Sequence, residues 1–434
     1  GDITASAEGS SGGDAYGIYA SSDGTNSPVT VTNHGDITAT SQSGEAYGIY
    51  ASSEGDNSPV TVINSGDITA TAYGKYEFAS GIGTDTEGNN SNIAIQNTGD
   101  VTATALGKSG AAYGIWAFTD GNSNIAIHNA GRVSAIGKNG ALGYGIWVFT
   151  ESKNSNILIE NSGSVFGSTA GIVVNPDNFA NGVAADNPTT IINTGDISAG
   201  SHLAIDVDGP GTAKIYNAGL ITGFVDLTEQ SDRFVNQADG VFETKKTSLF
   251  GGGNDLFRNE RGGTVQAATM AGQRETSSFQ GLETFRNAGG LISMIDGGVG
   301  DLFTIANTPG GKNLNFQGGG FLGVDAALRG PGSKADVFTV DGNVSGQTKV
   351  IVNNTSTQPG VFNSQGIPVV FVTGKTPNEN NFQLQGGPIN TGFFNYDLFF
   401  QPTGSGQWEF RSFVGGGAYT LPKLVTAAQD MWHQ

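Results

Sequence analysis

Two carboxylates stand on alternate positions in the stretch "AIDVDG" at 204–209, where Asp206 and Asp208 are separated by one residue. On an extended chain, alternate side chains share a face. With Ile205 and Val207 turned inward, both aspartates face outward. If "FVDLT" forms the next turn of a coil, Asp226 lies about 4.8 Å along the axis from one of them. Three carboxylates at that spacing could hold calcium. General acid–base chemistry on a polysaccharide would also need clustered carboxylates with a basic partner. No Lys or Arg stands beside these acids, which weakens a lyase or hydrolase reading. The plainer alternative is a solvated acidic face in a chain with 39 acidic residues. "GGGNDLF" at 251–257 and "GGVGDLF" at 297–303 are similar to calcium-binding nonapeptides. They lack the nine-residue spacing and are not in tandem, so they read as turns. Histidine is confined to His34, His128, His202 and His433. His34 and His128 sit beside an Asn of a recurring turn and read as surface groups. No zinc, serine-hydrolase or Cys/His motif is present, so the sequence calls for no catalytic residue and no cofactor.

A second constellation is aromatic. "YGIYA" at 16–20 and 47–51, "YGIWA" at 113–117 and "YGIWV" at 144–148 share one pattern. If Ile18 points in, Tyr19 points out. The same parity exposes Tyr50, Trp116 and Trp147, with Phe118 and Phe149 next to the last two. Such a ledge would suit sugar rings or an apolar patch on another protein. The alternative is rings that stack for stability, or that lie under the loops "TDGNSN" and "TESKNSN".

The elements that must position these residues are repeats. An Asn followed shortly by Gly and a β-branched pair recurs at Asn33, Asn64, Asn97, Asn129, Asn161 and Asn193 with intervals of 31–33 residues. It continues at Asn217, Asn236, Asn259 and Asn287 with intervals of 19–28 residues. Each long period carries three short segments, exemplified by "GIY", "VTV" and "DIT". All alternate apolar with small or polar residues, the mark of half-buried strands, and Gly, Asn, Asp and Ser separate them. Three strands per period in register predict an all-β fold, a right-handed parallel β-helix with three sides. One coil cannot bury its apolar face alone, whereas stacked coils bury a column. The Asn column fits a turn in which each amide bonds its counterpart in the neighbouring coils. A propeller would need longer blades and a steady period.

From about residue 230 an acid stands two before Phe234, Phe257, Phe285, Phe303 and Phe338. The first three phenylalanines occupy the place of the earlier Val or Ile. The expected organisation is therefore long-period coils over 1–229 and shorter coils over 230–339. A C-terminal β cap follows over 340–414, and a linker with a short helix over 415–434.

Composition bounds the partners. Lys plus Arg is 20 against 39 for Asp plus Glu, a net charge of −19, which repels phosphate backbones and argues against nucleic acid. Cysteine is absent, and no apolar run is long enough for a spanning helix. Gly1 already stands inside a repeat, so the chain is expected to belong to a longer precursor.

"GGGNDLFRNERGGTVQA" at 251–267, "IPVVFVTGKTPNENNFQL" at 367–384, the segment Tyr396–Phe410 and "LPKLVTAAQDMWHQ" at 421–434 occur in this order. Over about 230–434 the chain resembles the pertactin-like passenger domains of bacterial autotransporters, the type V secretion proteins. The resemblance implies a surface-exposed or secreted β-helix with a C-terminal autochaperone region. It also implies an outer-membrane β-barrel of its own as partner during secretion. The resulting expectation is a non-enzymatic adhesin or stalk, with glycans or host and matrix proteins as candidate ligands. A polysaccharide-active β-helix enzyme and a calcium-stabilised surface array remain the alternatives.

Overall fold

A computed structural model describes residues 1–9, 12–152, 154–175, 187–306, 314–375, 377–403 and 405–415. Contacts divide the chain into two units, Gly1–Leu256 and Phe257–Gln434. The expected terminal helix at 421–434 lies outside the described residues.

In the first unit the three repeated segments become three walls of a parallel solenoid. The first wall stacks Ile3–Ala7, Ile37–Ser41, Ile68–Ala72 and Val101–Ala105. The second stacks Ala15–Ser22, Ala46–Ser53, Phe78–Thr86, Ala111–Thr119 and Leu142–Thr150. The third stacks Val29–Asn33, Val60–Asn64, Ile93–Asn97, Ile125–Asn129 and Ile157–Asn161. Every pairing is parallel and joins equivalent residues. Ile49, Ile82, Ile115, Ile146, Ile172 and Ile205 form one fully buried inner ladder. The small residue in "YGI" is dictated by this packing. A Cβ on Gly114 would strike Val133 Cγ1 of the first wall and approach the Gly145 carbonyl to 2.5 Å.

The turn after the third wall is held by the Asn column. Asn33 Nδ2 donates to Asn64 Oδ1 at 2.8 Å, Asn64 to Asn97 at 2.8 Å and Asn97 to Asn129 at 2.9 Å. The series continues through Asn161, Asn193, Asn217 and Asn236. Most of these amides also reach a carbonyl of their own turn, as Asn129 does with Gly131 at 2.8 Å. Asn129→Ala would orphan the Asn97 amide hydrogen and the Asn161 carbonyl oxygen together. Each buried orphan costs about 1–3 kcal/mol. Urea unfolding should show the loss, and a change below about 0.5 kcal/mol would mean that backbone bonds alone hold the corner.

The opposite corner carries a second ladder. Ser27, Ser58, Ser91 and Ser123 each donate a backbone N–H to the hydroxyl of Ser58, Ser91, Ser123 and Ser155 in the next coil. Ser155 donates to Asn187 Oδ1, Ala213 to Asp232 Oδ1 and Asp232 to Asp255 Oδ1. The acids two before Phe234 and Phe257 accept backbone N–H groups in the same manner but two residues later in register, since Asp232 falls opposite Ala213, in line with Thr189 and Ile157. Ile215 pairs with Phe234, so the phenylalanine does replace the aliphatic filler of the third wall.

In the second unit parallel stacking continues over Thr284–Ala288 on Leu314–Gly318 and Leu302–Ala306 on Val337–Gly346. The latter pair puts Phe303 and Phe338 in register on a different wall from Phe285. The acid–x–Phe cadence thus serves two corners. Antiparallel structure appears at the end, where Phe394–Thr403 and Ser405–Val414 form a hairpin whose second strand pairs with Ile367–Val372. Its apolar side closes the core. Phe257, Phe285, Phe316 and Phe382 stack at centroid distances of 4.9, 5.6 and 6.1 Å, and Trp408 meets Phe382 edge-on at 4.8 Å. The described residues contain no α-helix, and no helix is long and apolar enough to cross a membrane.

Candidate functional site

The outer face of the second wall in the first unit carries the aromatic residues. Strand pairing aligns Tyr19 with Tyr50, Trp116 with Trp147 and Phe118 with Phe149. It also aligns Tyr16 with Tyr47 and Tyr113 with Tyr144, which the reading of the sequence left out of the ledge. The rings stack along the solenoid axis. Tyr16 lies on Tyr47 at 5.0 Å, Tyr113 on Tyr144 at 5.7 Å, Trp116 on Trp147 at 6.4 Å and Phe118 on Phe149 at 5.6 Å.

This geometry corrects the expected open ledge. Tyr19 is 58% exposed, but Trp147 and Phe149 are each only 5% exposed and belong to a cluster with Ala170 and Val173. Tyr50, Trp116 and Phe118 are half-buried. Coils repeat at about 4.8 Å, so outward rings on successive coils cover one another's faces. Flat aromatic faces become available only where the stack is interrupted.

The interruption is the third coil. Strand Phe78–Thr86 has Ser80, Gly83 and Asp85 where its neighbours have Tyr, Tyr or Trp, and Ser or Phe. Tyr50 and Trp116 lean together across Gly83 to 6.3 Å, and a Cβ there would press on both rings at 3.2 and 3.3 Å. Ser80 and Asp85 are not spanned by such a pair, but beside Ser80, which is 1% exposed, the ring of Phe78 from the same coil lies 6.0 Å from that of Tyr113. A groove of about 620 Å³ opens over them, lined by Tyr47, Phe78, Tyr113, Trp116, Phe118, Leu142, Trp147 and Phe149, with carboxylates from Glu45, Asp85 and Glu151. Small-ligand sites commonly enclose about 300–1,000 Å³ with apolar walls and a few polar groups.

The polar groups are unevenly satisfied. The Tyr47 hydroxyl donates to Glu45 at 2.6 Å, which fixes that ring. Ser80 Oγ and Asp85 Oδ1 are buried and make no hydrogen bond within the protein. Burial raises the Asp85 pKa to about 6, assisted by Glu87, Asp120 and Glu54, while the Tyr50 hydroxyl acts in the opposite direction. Burial likewise raises Glu45. Among the described residues, no Lys, Arg or His lines the groove. It can therefore hold a ring between aromatic walls and offer oxygen acceptors to its hydroxyl or amino groups. Asp85 was passed over in the sequence, where it stands between Thr84 and Thr86 with Glu87 as its nearest acid. The available signal was the break from "YGIYA" to "SGIGT" in one coil.

The other candidates fall elsewhere. Asp206 and Asp226 are register partners on neighbouring coils, and Asp208 follows the strand Asp196–Val207. Among the described residues, no three His, Asp or Glu side chains converge to hold a metal ion. His34 Nδ1 meets Ser65 Oγ at 2.8 Å, and His128 Nδ1 meets Glu160 at 2.6 Å on an exposed face.

The first unit is thus a parallel solenoid with a surface groove, and the second ends in an antiparallel hairpin. Residues 303–398 match the family model Autochaperone Domain Type 1. The chain is also similar to the probable autotransporter YfaL of Escherichia coli (strain K12), 31% identical over 190 residues. That alignment covers 41% of this chain and 14% of the relative, so the chain spans only a small part of that protein's length. The solenoid and these two matches fit an autotransporter passenger with a β-helix, the autochaperone likeness being confined to 303–398.

Proposed function

We propose that this passenger is an adhesin held at the bacterial cell surface or released from it, and that it acts by binding rather than by catalysis. The solenoid is the stalk, and the groove over Ser80 and Asp85 is the binding surface. Glycans are the favoured ligands. A C-terminal outer-membrane β-barrel is the secretion partner, in keeping with the autochaperone match at 303–398. The observation that carries the adhesive reading is the groove itself. It combines uncovered aromatic faces with two buried oxygens that make no bond inside the protein. A stack built only for stability would have continued through the third coil.

The test is a glycan and matrix-protein array probed with the full chain and with Tyr113→Ala. Removing one aromatic wall of a sugar site costs about 1–3 kcal/mol, or roughly 5- to 150-fold in affinity. A ligand whose binding falls by that factor supports the reading. Unchanged binding, or a chain that binds no glycan, overturns it.

A further inference from the structure

We propose that the corner between the first and second walls, where the chain enters strands Phe78–Thr86, Ala111–Thr119 and Leu142–Thr150, docks on an anionic lipid membrane. Three tight turns make this corner. The Glu77 N–H closes on the Gly74 carbonyl at 3.5 Å, Gly110 on Gly107 at 3.5 Å and Ala141 on Lys138 at 3.0 Å. Backbone bonds from Leu106 to Ala72 and from Lys138 to Ala105 stack Tyr73, Leu106 and Lys138 on successive coils. Gly107 lies against the Gly74 carbonyl, which puts Lys108 in line with Lys75. Tyr73, Tyr76, Phe78 and Leu142 are 48, 57, 39 and 44% exposed, with Leu106 half-buried among them. Phe78 and Leu142 are shared with the rim of the groove. Lys75, Lys108 and Lys138 are exposed around these side chains, and among the described residues none of the three is paired with a carboxylate. Contiguous apolar side chains with a polar rim mark interaction surfaces.

Two features of the corner work against the fold's own stability. Coils repeat at about 4.8 Å, so Lys75 and Lys108 set like charges side by side. Tyr76 has a φ of 76°, a left-handed turn position where Gly or Asn is at ease and a bulky ring is strained. Ser109 takes that position in the next coil with a φ of 65°. The strain holds the Tyr76 ring out at the tip of its turn, with the Lys75 ammonium 4.5 Å over the centroid. The chemistry of these tips selects the partner. Tyrosine rings settle at the headgroup level of a bilayer, and lysine stems lie along apolar surface with the ammonium at the phosphates. A bilayer accepts such tips without a matching pocket. A sulfated glycan would engage the lysines and leave Tyr73 and Tyr76 in water. Each lysine near an anionic membrane contributes about fivefold in affinity. The net charge of −19 opposes approach, but the Debye length is about 8 Å at physiological salt, so acids on distant coils are screened. The nearby acids are Glu77 and Glu45, both half-buried, and Glu45 accepts the Tyr47 hydroxyl at 2.6 Å.

The experiment is vesicle sedimentation with the full chain at physiological salt. One set of vesicles is phosphatidylcholine alone, the other equal parts phosphatidylcholine and phosphatidylserine, and a heparin column is run alongside. The anionic vesicles should bind at least about tenfold more tightly than the neutral ones. Replacing Lys75, Lys108 and Lys138 together by Gln should erase that difference. Tyr76→Asn removes the ring and suits the turn, since Asn26, Asn57, Asn90 and Asn139 already adopt left-handed φ in this chain. It should weaken binding about fivefold or more while the melting temperature stays unchanged or rises. Equal binding of the two vesicle types, or a preference that survives loss of the three lysines, would overturn the proposal. So would vesicle binding that Tyr76→Asn leaves intact, or a lowered melting temperature in that variant, which would return the ring to a structural role. Retention on heparin without vesicle binding would give the corner to a soluble polyanion and overturn the lipid assignment, as would binding to neither.

Discussion

Trp408→Ala is expected to lower the stability of the C-terminal unit by about 3–5 kcal/mol. The indole is 1% exposed and covers the end of a phenylalanine stack, touching Phe382 at 4.8 Å and Phe400 at 4.7 Å. A solenoid coil is stable only when both of its faces are covered, and the last coil has no successor to cover it. Trp408 supplies that cover, so its loss opens a cavity where no neighbouring coil can relax inward. Phe399 lies on the same hairpin but is 39% exposed, and Phe399→Ala should cost below about 1 kcal/mol. Urea unfolding followed by tryptophan fluorescence would be confounded by the substitution, so circular dichroism is the better readout. Tyr396 offers a second variant. It is fully buried, and its hydroxyl lies 2.7 Å from the carbonyls of Arg329 and Val361. Tyr396→Phe should therefore cost about 1–3 kcal/mol by orphaning buried groups without a cavity. The match of 303–398 to an autochaperone family adds a kinetic expectation. If the cap templates the coils, Trp408→Ala slows refolding in proportion to its stability loss; if the cap closes last, only unfolding quickens. Equal stability of Trp408→Ala and Phe399→Ala would remove the hairpin from the role of core seal.

The fold was legible because its signals repeat. One "NSGDIT" is a turn, whereas the same words every 31–33 residues place Asn33, Asn64 and Asn97 over one another, and the amide bonds follow from that stacking. Inner residues were equally plain, since parity assigns Ile49 and Ile82 to the core without knowledge of their neighbours. Outer residues were harder. Parity correctly sends Trp147 and Phe149 outward, but outward is not exposed when the next ring lies one coil away and Ala170 and Val173 pack beneath. The groove was hidden for a related reason. It is made by what Ser80, Gly83 and Asp85 omit, and a search for chemistry-bearing residues passes over small ones. The corner acids show a third limit. Their position two before Phe was visible, yet in a chain of net charge −19 an aspartate reads as a solvated group. Asp232 and Asp255 instead accept backbone N–H groups at the corner and are 2% and 1% exposed.

Those acids make stability depend on pH in an unusual direction. Burial raises Asp232 and Asp336 to about 7 and also raises Asp301, against the pull of the backbone N–H groups each of them accepts. Their ordinary value is 3.8. Between that value and about 7, the folded chain holds protons that the unfolded chain has released. Stability then falls as pH rises, because its slope follows the protons bound unfolded minus those bound folded. The contribution is fully present below the unfolded value and is lost as pH passes through the folded one. The chain should therefore be more stable at pH 5 than at pH 8, by about 1–3 kcal/mol for each buried carboxylate left charged. Relief of self-repulsion at low pH acts in the same direction, so a charge-matched control is needed. Asp232→Asn provides the test, since an amide oxygen can accept the same N–H, as Asn187 accepts that of Ser155 at 2.8 Å in an earlier coil. Asp232→Asn should raise the urea midpoint at pH 8 and flatten the pH profile. Glu8→Gln, which removes the same charge from an exposed position, should do neither. A midpoint that instead climbs from pH 5 to pH 8 would mean that the bonds from Ala213, Gly300 and Asp325 hold these carboxylates ionised inside the fold. In that case Asp232→Asn would destabilise the chain at pH 8, so the sign of one measurement decides how the corner is charged.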